Sequence, residues 1–308
     1  MIPMIDAHSD TLSLIPSPEA FAEGTTQVTL KKLRQGGVCL QCLAVFKSTV
    51  HHPEPASYSL GLISRFTELC RQYDQLLPVR TAADLKRAIA GEKIGVLLTV
   101  EGGELLLQST SMLRILSTLG VKMMSLSWNN DNPLAGGAEG ENKGLTPLGA
   151  DALRQMEQLG ILADVSHAGE RTFWDIARHS TRPIVASHSN AYAVCKHKRS
   201  LKDEQIREIA RRSGCIGICF YQKFLSEAPH PSLKDVLAHI EHIAALVGPG
   251  FVGIGSDFDG ADGLLPPELK DSAHLQAIPE ALARLNYTQD QINAICWKNW
   301  ADTLLRVL

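Results

Sequence analysis

ILADVSH (161–167) and PIVASHS (183–189) bracket a segment of helical periodicity, Thr172–His179. A short apolar run, a helical stretch and a second apolar run make a βαβ signature. Each run ends in a histidine, His167 in the first and His188 in the second. In a parallel sheet both would emerge at the same carboxyl edge, on neighbouring strands. Imidazoles delivered onto one rim from rigid elements suit a metal far better than scattered ones.

Outward from this unit the same alternation continues. The other apolar runs bounded by turn signals are Ile2–Ile5, Val38–Phe46, Ile94–Val100, Val121–Leu126, Cys215–Tyr221 and Phe251–Gly255, which with Ile161–Val165 and Pro183–Ala186 make eight. Helical patterns separate them: Tyr58–Leu76, Ala82–Ala90, Glu104–Leu119, Pro147–Leu159, Asp203–Arg212 and Ser232–Leu246. Ile278–Leu285 and Gln289–Leu305 then close the chain, the last behind a capping box at Thr288–Gln291. Eight near-continuous apolar strands alternating with helices, without a topological break, favour a closed (β/α)8 TIM-type barrel over an open doubly wound sheet. No composition break marks a second domain, so residues 1–308 read as a single barrel with closing C-terminal helices. The segment WNNDNPLAGGAEGENKG (128–144) lacks apolar periodicity and follows the fourth strand, where it reads as a substrate-covering lid on the carboxyl face.

Composition bounds the function. Apolar residues make up 44% and charged residues 20%, with a net charge of −3 and no basic stripe. A large core is expected; nucleic acid and an anionic membrane are not expected as partners. The start, MIPMIDAHSD, shows no basic n-region or apolar h-region, and no apolar run spans a bilayer, so a cytoplasmic location is expected. Seven cysteines without framework spacing fit a reduced compartment. Cys39 and Cys42 form a CxxC, but on a strand they face opposite ways and read as structural thiols.

The strand ends carry the chemistry. They offer His8 and Asp10, Glu101, His167, His188 and Asp257. In a barrel all of these look into one basin, and mixed N/O donors there suit a divalent metal: zinc first, manganese or cobalt as alternatives. His8 and Asp10, two apart on a strand, share a face. Glu101 has two oxygens and can bridge two ions, giving a pair roughly 3.5–4 Å apart around a shared hydroxide. Asp164 reads as support for its neighbours, and Asp259 as a partner of Asp257 if the strand continues. His239 and His242 lack HExxH spacing and read as a solvated helix face. His51 and His52, in a Pro-rich loop, read as surface.

The strings IDAHSDTL (5–12), TVEGGELL (99–106), PIVASHSNAYAVCKHKRSL (183–201) and GIGSDFDG (253–260) resemble the renal (membrane) dipeptidase family of zinc peptidases, in the amidohydrolase superfamily. The resemblance covers nearly the whole chain. It implies two zinc ions per chain, one on His8, Asp10 and Glu101 and the other on Glu101, His167 and His188. It further implies Asp257 as the acid/base and Arg199, eleven residues after His188, as the grip on a dipeptide's carboxylate. Tyr192 would lie near the site, and a homodimer is common among members. One position departs: mammalian members carry a carbonyl-contacting histidine where this chain has Trp128, so Asn129 or Asn130 becomes the candidate donor. The function this predicts is a dinuclear zinc dipeptidase using a metal-bridging hydroxide. The alternatives are an amidohydrolase for another C–N bond, such as an N-acyl amino acid or a lactam, and a non-catalytic metal-binding barrel.

Overall fold

The computed structural model describes residues 1–46, 54–106 and 109–308, so His51 and His52 lie outside the described residues. Nine strands form among these residues: β1 (Met4–Asp6), β2 (Val38–Phe46), β3 (Leu76–Pro78), β4 (Ile94–Glu101), β5 (Val121–Ser125), β6 (Leu162–Asp164), β7 (Ile184–Val185), β8 (Ile216–Ile218) and β9 (Val252–Ile254). All but β3 run in the order β7-β6-β5-β4-β2-β1-β9-β8, each pair parallel. A parallel bridge from Ala186 to Ile216 completes the ring, with Gly217 N–H donating to Ala186 O at 2.8 Å. This is the expected (β/α)8 barrel. β3 was not expected; it pairs with β4 outside the ring.

The connecting helices form close to where the apolar periodicity places them, except that the one expected over Tyr58–Leu76 spans Pro55–Gln72 and Leu76 opens β3. Pro147–Gln158 begins at Thr146, whose side chain accepts Gly149 N–H, with Pro147 in the first turn. The Thr288 capping box is present, but the final helix passes through a π-helical turn at Ala294–Lys298. Glu104–Leu119 is broken into a 3₁₀ turn, Glu104–Leu106, and a helix, Met112–Leu119. No helix among the described residues is long and apolar enough to cross a membrane.

Burial is divided between two clusters. The larger joins strand residues such as Leu43, Val100 and Met124 to buried helix residues such as Leu116, Ile176 and Ile209. The second joins Leu40, Leu97, Met123, Leu162 and Val185 to Trp300 and Leu304 of the last helix. On β2, β4 and β6 its residues precede the strand ends, so apolar packing lies to the amino side of the polar rim. Gly253 makes room for Trp300: a Cβ there would lie 2.3 Å from the indole Nε1, which donates to Ile254 O.

Candidate metal centre

The backbone beyond β1 fixes the first pair of side chains. Ala7 N–H donates to Ile254 O, Asp257 N–H to His8 O, and Asp10 N–H to Phe258 O, so residues 8–10 run beside residues 254–258. Buried Asp6 ties β1 to the turn just past β9 by accepting Ser256 N–H at 2.8 Å and Ser256 Oγ–H at 2.6 Å. Asp257 sits at φ +62°, in the left-handed region that non-glycine residues rarely enter, which re-aims its carboxylate off the strand path. Glu101 is the last residue of β4, ahead of Gly102 at φ +88°, whose N–H donates to Ser125 Oγ.

These ends converge. His8 Nε2 lies 3.7 Å from Asp10 Oδ1, 3.8 Å from Glu101 Oε2 and 3.8 Å from Asp257 Oδ1. On the other side, Glu101 Oε1 is 2.5 Å from His167 Nε2 and 3.4 Å from His188 Nε2, and the two ring nitrogens are 2.9 Å apart. One carboxylate therefore faces His8 with one oxygen and the pair His167/His188 with the other. All five side chains and Asp257 are buried.

The donor set fits cations. His8 Nε2 and Asp10 Oδ1 are buried without a hydrogen-bond partner, a state that costs about 1–3 kcal/mol per group. Burial lowers all three histidines, His8 to about 3, so the imidazoles are neutral. Burial first, and repulsion by neighbouring carboxylates second, raises Asp10 (beside Asp257 and Asp259) and Glu101 (beside Asp10 and Asp257). Carboxyls and neutral imidazoles gathered this closely favour positive charge among them, which a proton or a bound cation can supply. Among the described residues, His8/Glu101/His188 and His8/Asp10/Asp257 form the groups compact enough to hold an ion. By distance Asp257 stands with the ligands; its second oxygen, Oδ2, is 3.5 Å from the Cys219 thiol.

Arg199 is 3% exposed, with Nη2 3.2 Å from His188 O and 3.3 Å from His167 Nε2, and with Nε unpartnered. Arg199 and half-exposed Tyr192 line a cavity of about 300 Å³ next to the centre. Trp128 packs against Phe46 at 5.2 Å between ring centroids and stands 6.1 Å from the His167 ring, as an apolar wall. Asn129 turns its Oδ1 to His167 Nδ1 at 2.8 Å, so its amide carbonyl orients that ring. The segment 128–144 is tied to the strand ends by Ala138 N–H to His167 O and by a Gly137–Ala168 bridge. Asp131 tightens it from within by accepting Gly137 N–H and Glu141 N–H.

One histidine differs from the sequence expectation. His239 is fully buried, not solvated: Nδ1 accepts Ala191 N–H, and Nε2 lies 2.9 Å from Leu225 O. It shares its helix face with buried Val236, Ile240 and Ile243, a pattern the sequence did carry. His242 pairs with Asp203 at 2.8 Å.

The fold and the rim define the class: a parallel (β/α)8 barrel whose carboxyl end gathers histidines and carboxylates able to hold metal ions. The membrane dipeptidase model (peptidase family M19) matches residues 1–308. A curated relative described as an uncharacterised dipeptidase of Schizosaccharomyces pombe is 32% identical, over 94% of this chain and 75% of its own. An uncharacterised Klebsiella pneumoniae protein encoded 5′ of pqqA is 33% identical, over 74% and 87% respectively. A Rhodobacter sphaeroides metallopeptidase, crystallised with a phosphinate mimic of the dipeptide L-Ala-D-Ala, superposes with a TM-score of 0.92 at 26% identity, covering 100% of this chain and 99% of that one. The chain belongs to the membrane dipeptidase family, M19, and is a metallopeptidase.

Proposed function

We propose that this enzyme is a dinuclear zinc dipeptidase, with residues 1–308 as one barrel domain. The observation that supports it most is the placement of Glu101, one oxygen toward His8 and the other toward His167 and His188. His8, Asp10 and Glu101 would hold one ion; Glu101, His167 and His188 would hold the other. When bound, such ions polarise a carbonyl and acidify a water toward neutrality.

The remaining work falls to the chain's own residues. Asp257, whose carboxyl burial pushes up to about 7, is poised to take a proton from the attacking water and return it to the leaving amine at neutral pH. The Cys219 thiol occupies its Oδ2 side, leaving Oδ1 directed at the ligand cluster. Arg199 supplies a buried planar cation for the substrate's terminal carboxylate, which restricts the enzyme to short substrates. Trp128 gives the site an apolar wall, and Asn129 acts through the His167 ring that it orients. All seven cysteines are free, which suits the cytoplasm.

The bound L-Ala-D-Ala mimic in the Rhodobacter enzyme makes L,D-dipeptides part of the test. Hydrolysis of L,L- and L,D-dipeptides is measured against N-acyl amino acids and lactams. Dipeptides are expected to give the highest kcat/KM. Turnover confined to the acylated amino acids or lactams would replace the reading with the broader amidohydrolase one.

A further inference from the structure

Beneath His188 lie three buried side chains that the roles above leave unused. Asp164 ends β6, Ser166 directly precedes His167, and Ser187 directly precedes His188. Asp164 Oδ1 receives Ser166 N–H at 3.0 Å, Ser166 Oγ–H at 2.7 Å and Ser187 N–H at 2.9 Å. Its Oδ2 receives Ser187 Oγ–H at 2.5 Å. A hydroxyl has one proton to give, and a carboxylate is the strongest acceptor in reach. Ser187 Oγ therefore meets His188 Nδ1, 2.8 Å away, as an acceptor. Ser166 Oγ, 3.1 Å from Ser187 Oγ, has also committed its proton to Asp164 and accepts His188 N–H at 3.0 Å. The imidazole proton is thus required on Nδ1.

We propose that Asp164 and Ser187 are positioning residues that lock His188 in the Nδ1–H tautomer through a carboxylate–hydroxyl–imidazole relay, leaving the Nε2 lone pair facing Glu101. Only the consequence for zinc rests on reading His188 as a ligand; the tautomer does not. Through Ser166 and Ser187 the same carboxylate ties together the two strand ends that carry His167 and His188. Partners of this kind fix ring orientation and raise ligand basicity.

The relay has a direction, which makes Asp164→Asn a sharp test. To keep three donors satisfied at the Oδ1 position, the carboxamide must place its oxygen there and its NH2 against Ser187 Oγ. The hydroxyl then turns its proton to Nδ1, which at 2.8 Å is nearer than Ser166 Oγ at 3.1 Å and, as an imidazole nitrogen, the stronger acceptor, and His188 moves its own proton to Nε2. Ser187→Ala removes the relay without reversing it. The assay is a long-range 1H–15N correlation spectrum of the metal-free full-length protein labelled with 15N-histidine, paired with zinc competition against a chelator. The unsubstituted protein is expected to show His188 as Nδ1–H and Asp164→Asn as Nε2–H. Zinc affinity at the His188 site should fall by about 10–100-fold in Asp164→Asn, with a smaller loss in Ser187→Ala. An Nε2–H signal in the unsubstituted protein, or an unchanged tautomer in Asp164→Asn, overturns the proposal. If Asp164→Asn does not fold, Ser187→Ala decides: a mixed tautomer supports the relay, and a purely Nδ1–H ring refutes it. A tautomer switch in a protein that takes up no zinc upholds the relay while removing the dinuclear reading.

Discussion

Gly260 tests how closely the two sides of the rim are fitted. A Cβ at this position would lie 2.4 Å from Asp10 Oδ2 and 2.6 Å from Asp257 Oδ1, against 3.4–4 Å for ordinary contact. Gly260 is not among the positive-φ glycines, so alanine meets no backbone penalty and the whole effect is steric. Both carboxylates must retreat by roughly 1 Å, and misplacement on that scale costs about 10²-fold in rate. Asp10 and Asp257 serve different roles in the proposal, so Gly260→Ala should lower kcat/KM for a dipeptide by at least that factor and also weaken zinc at the His8/Asp10 site. The assay pairs steady-state hydrolysis with metal content after chelator competition, and a thermal melt of the metal-free protein controls for folding. A variant with unchanged kcat/KM and unchanged zinc retention would refute the placement of Asp10 and Asp257 around this glycine.

Asp257→Asn should keep its zinc while kcat falls by about 10²–10⁴, the usual value of general acid–base help; loss of one ion instead, measured by elemental analysis, would make Asp257 a ligand. Arg199→Ala should raise KM for dipeptides strongly, with kcat/KM down on the order of 10²-fold, while a dipeptide amide, lacking the carboxylate, should lose little. Equal losses on both substrates would remove the carboxylate grip. Zinc uptake should tighten as pH rises. Burial raises Asp10 and Glu101, so the metal-free protein keeps protons there to higher pH than ordinary carboxyls do and binding must expel them, whereas the lowered histidines release few. Calorimetry in buffers of different ionisation enthalpy should therefore detect net proton release, diminishing at alkaline pH; proton uptake would contradict the charge pattern.

How much of this was legible in the sequence follows from where the information lies. Strand ends were readable because each is a short apolar run that stops at a charged or imidazole side chain, and Glu101, His167 and His188 are such stops. β3 was not, since Leu76–Pro78 is brief, ends in proline and sits between two helical segments. The π-helical turn at Ala294–Lys298 leaves the apolar periodicity nearly intact and so escapes a pattern reading. The spacing of the histidines hides the burial of His239, which is set by the helix face it shares with Val236, Ile240 and Ile243. Gly260, Ser166 and Ser187 carry no signal of their own; small and hydroxyl residues acquire meaning only when the fold brings carboxylates and imidazoles against them. Asn129 had a signal, its place after the fourth strand, but its partner, His167 Nδ1, is thirty-eight residues away in the chain.

The most direct measurement is an anomalous difference map, collected on either side of the zinc edge, from crystals of the zinc-loaded protein. Two peaks are predicted, both in contact with Glu101, one shared with His8 and Asp10 and the other with His167 and His188. A single peak, or a pair that Glu101 does not join, would contradict the account.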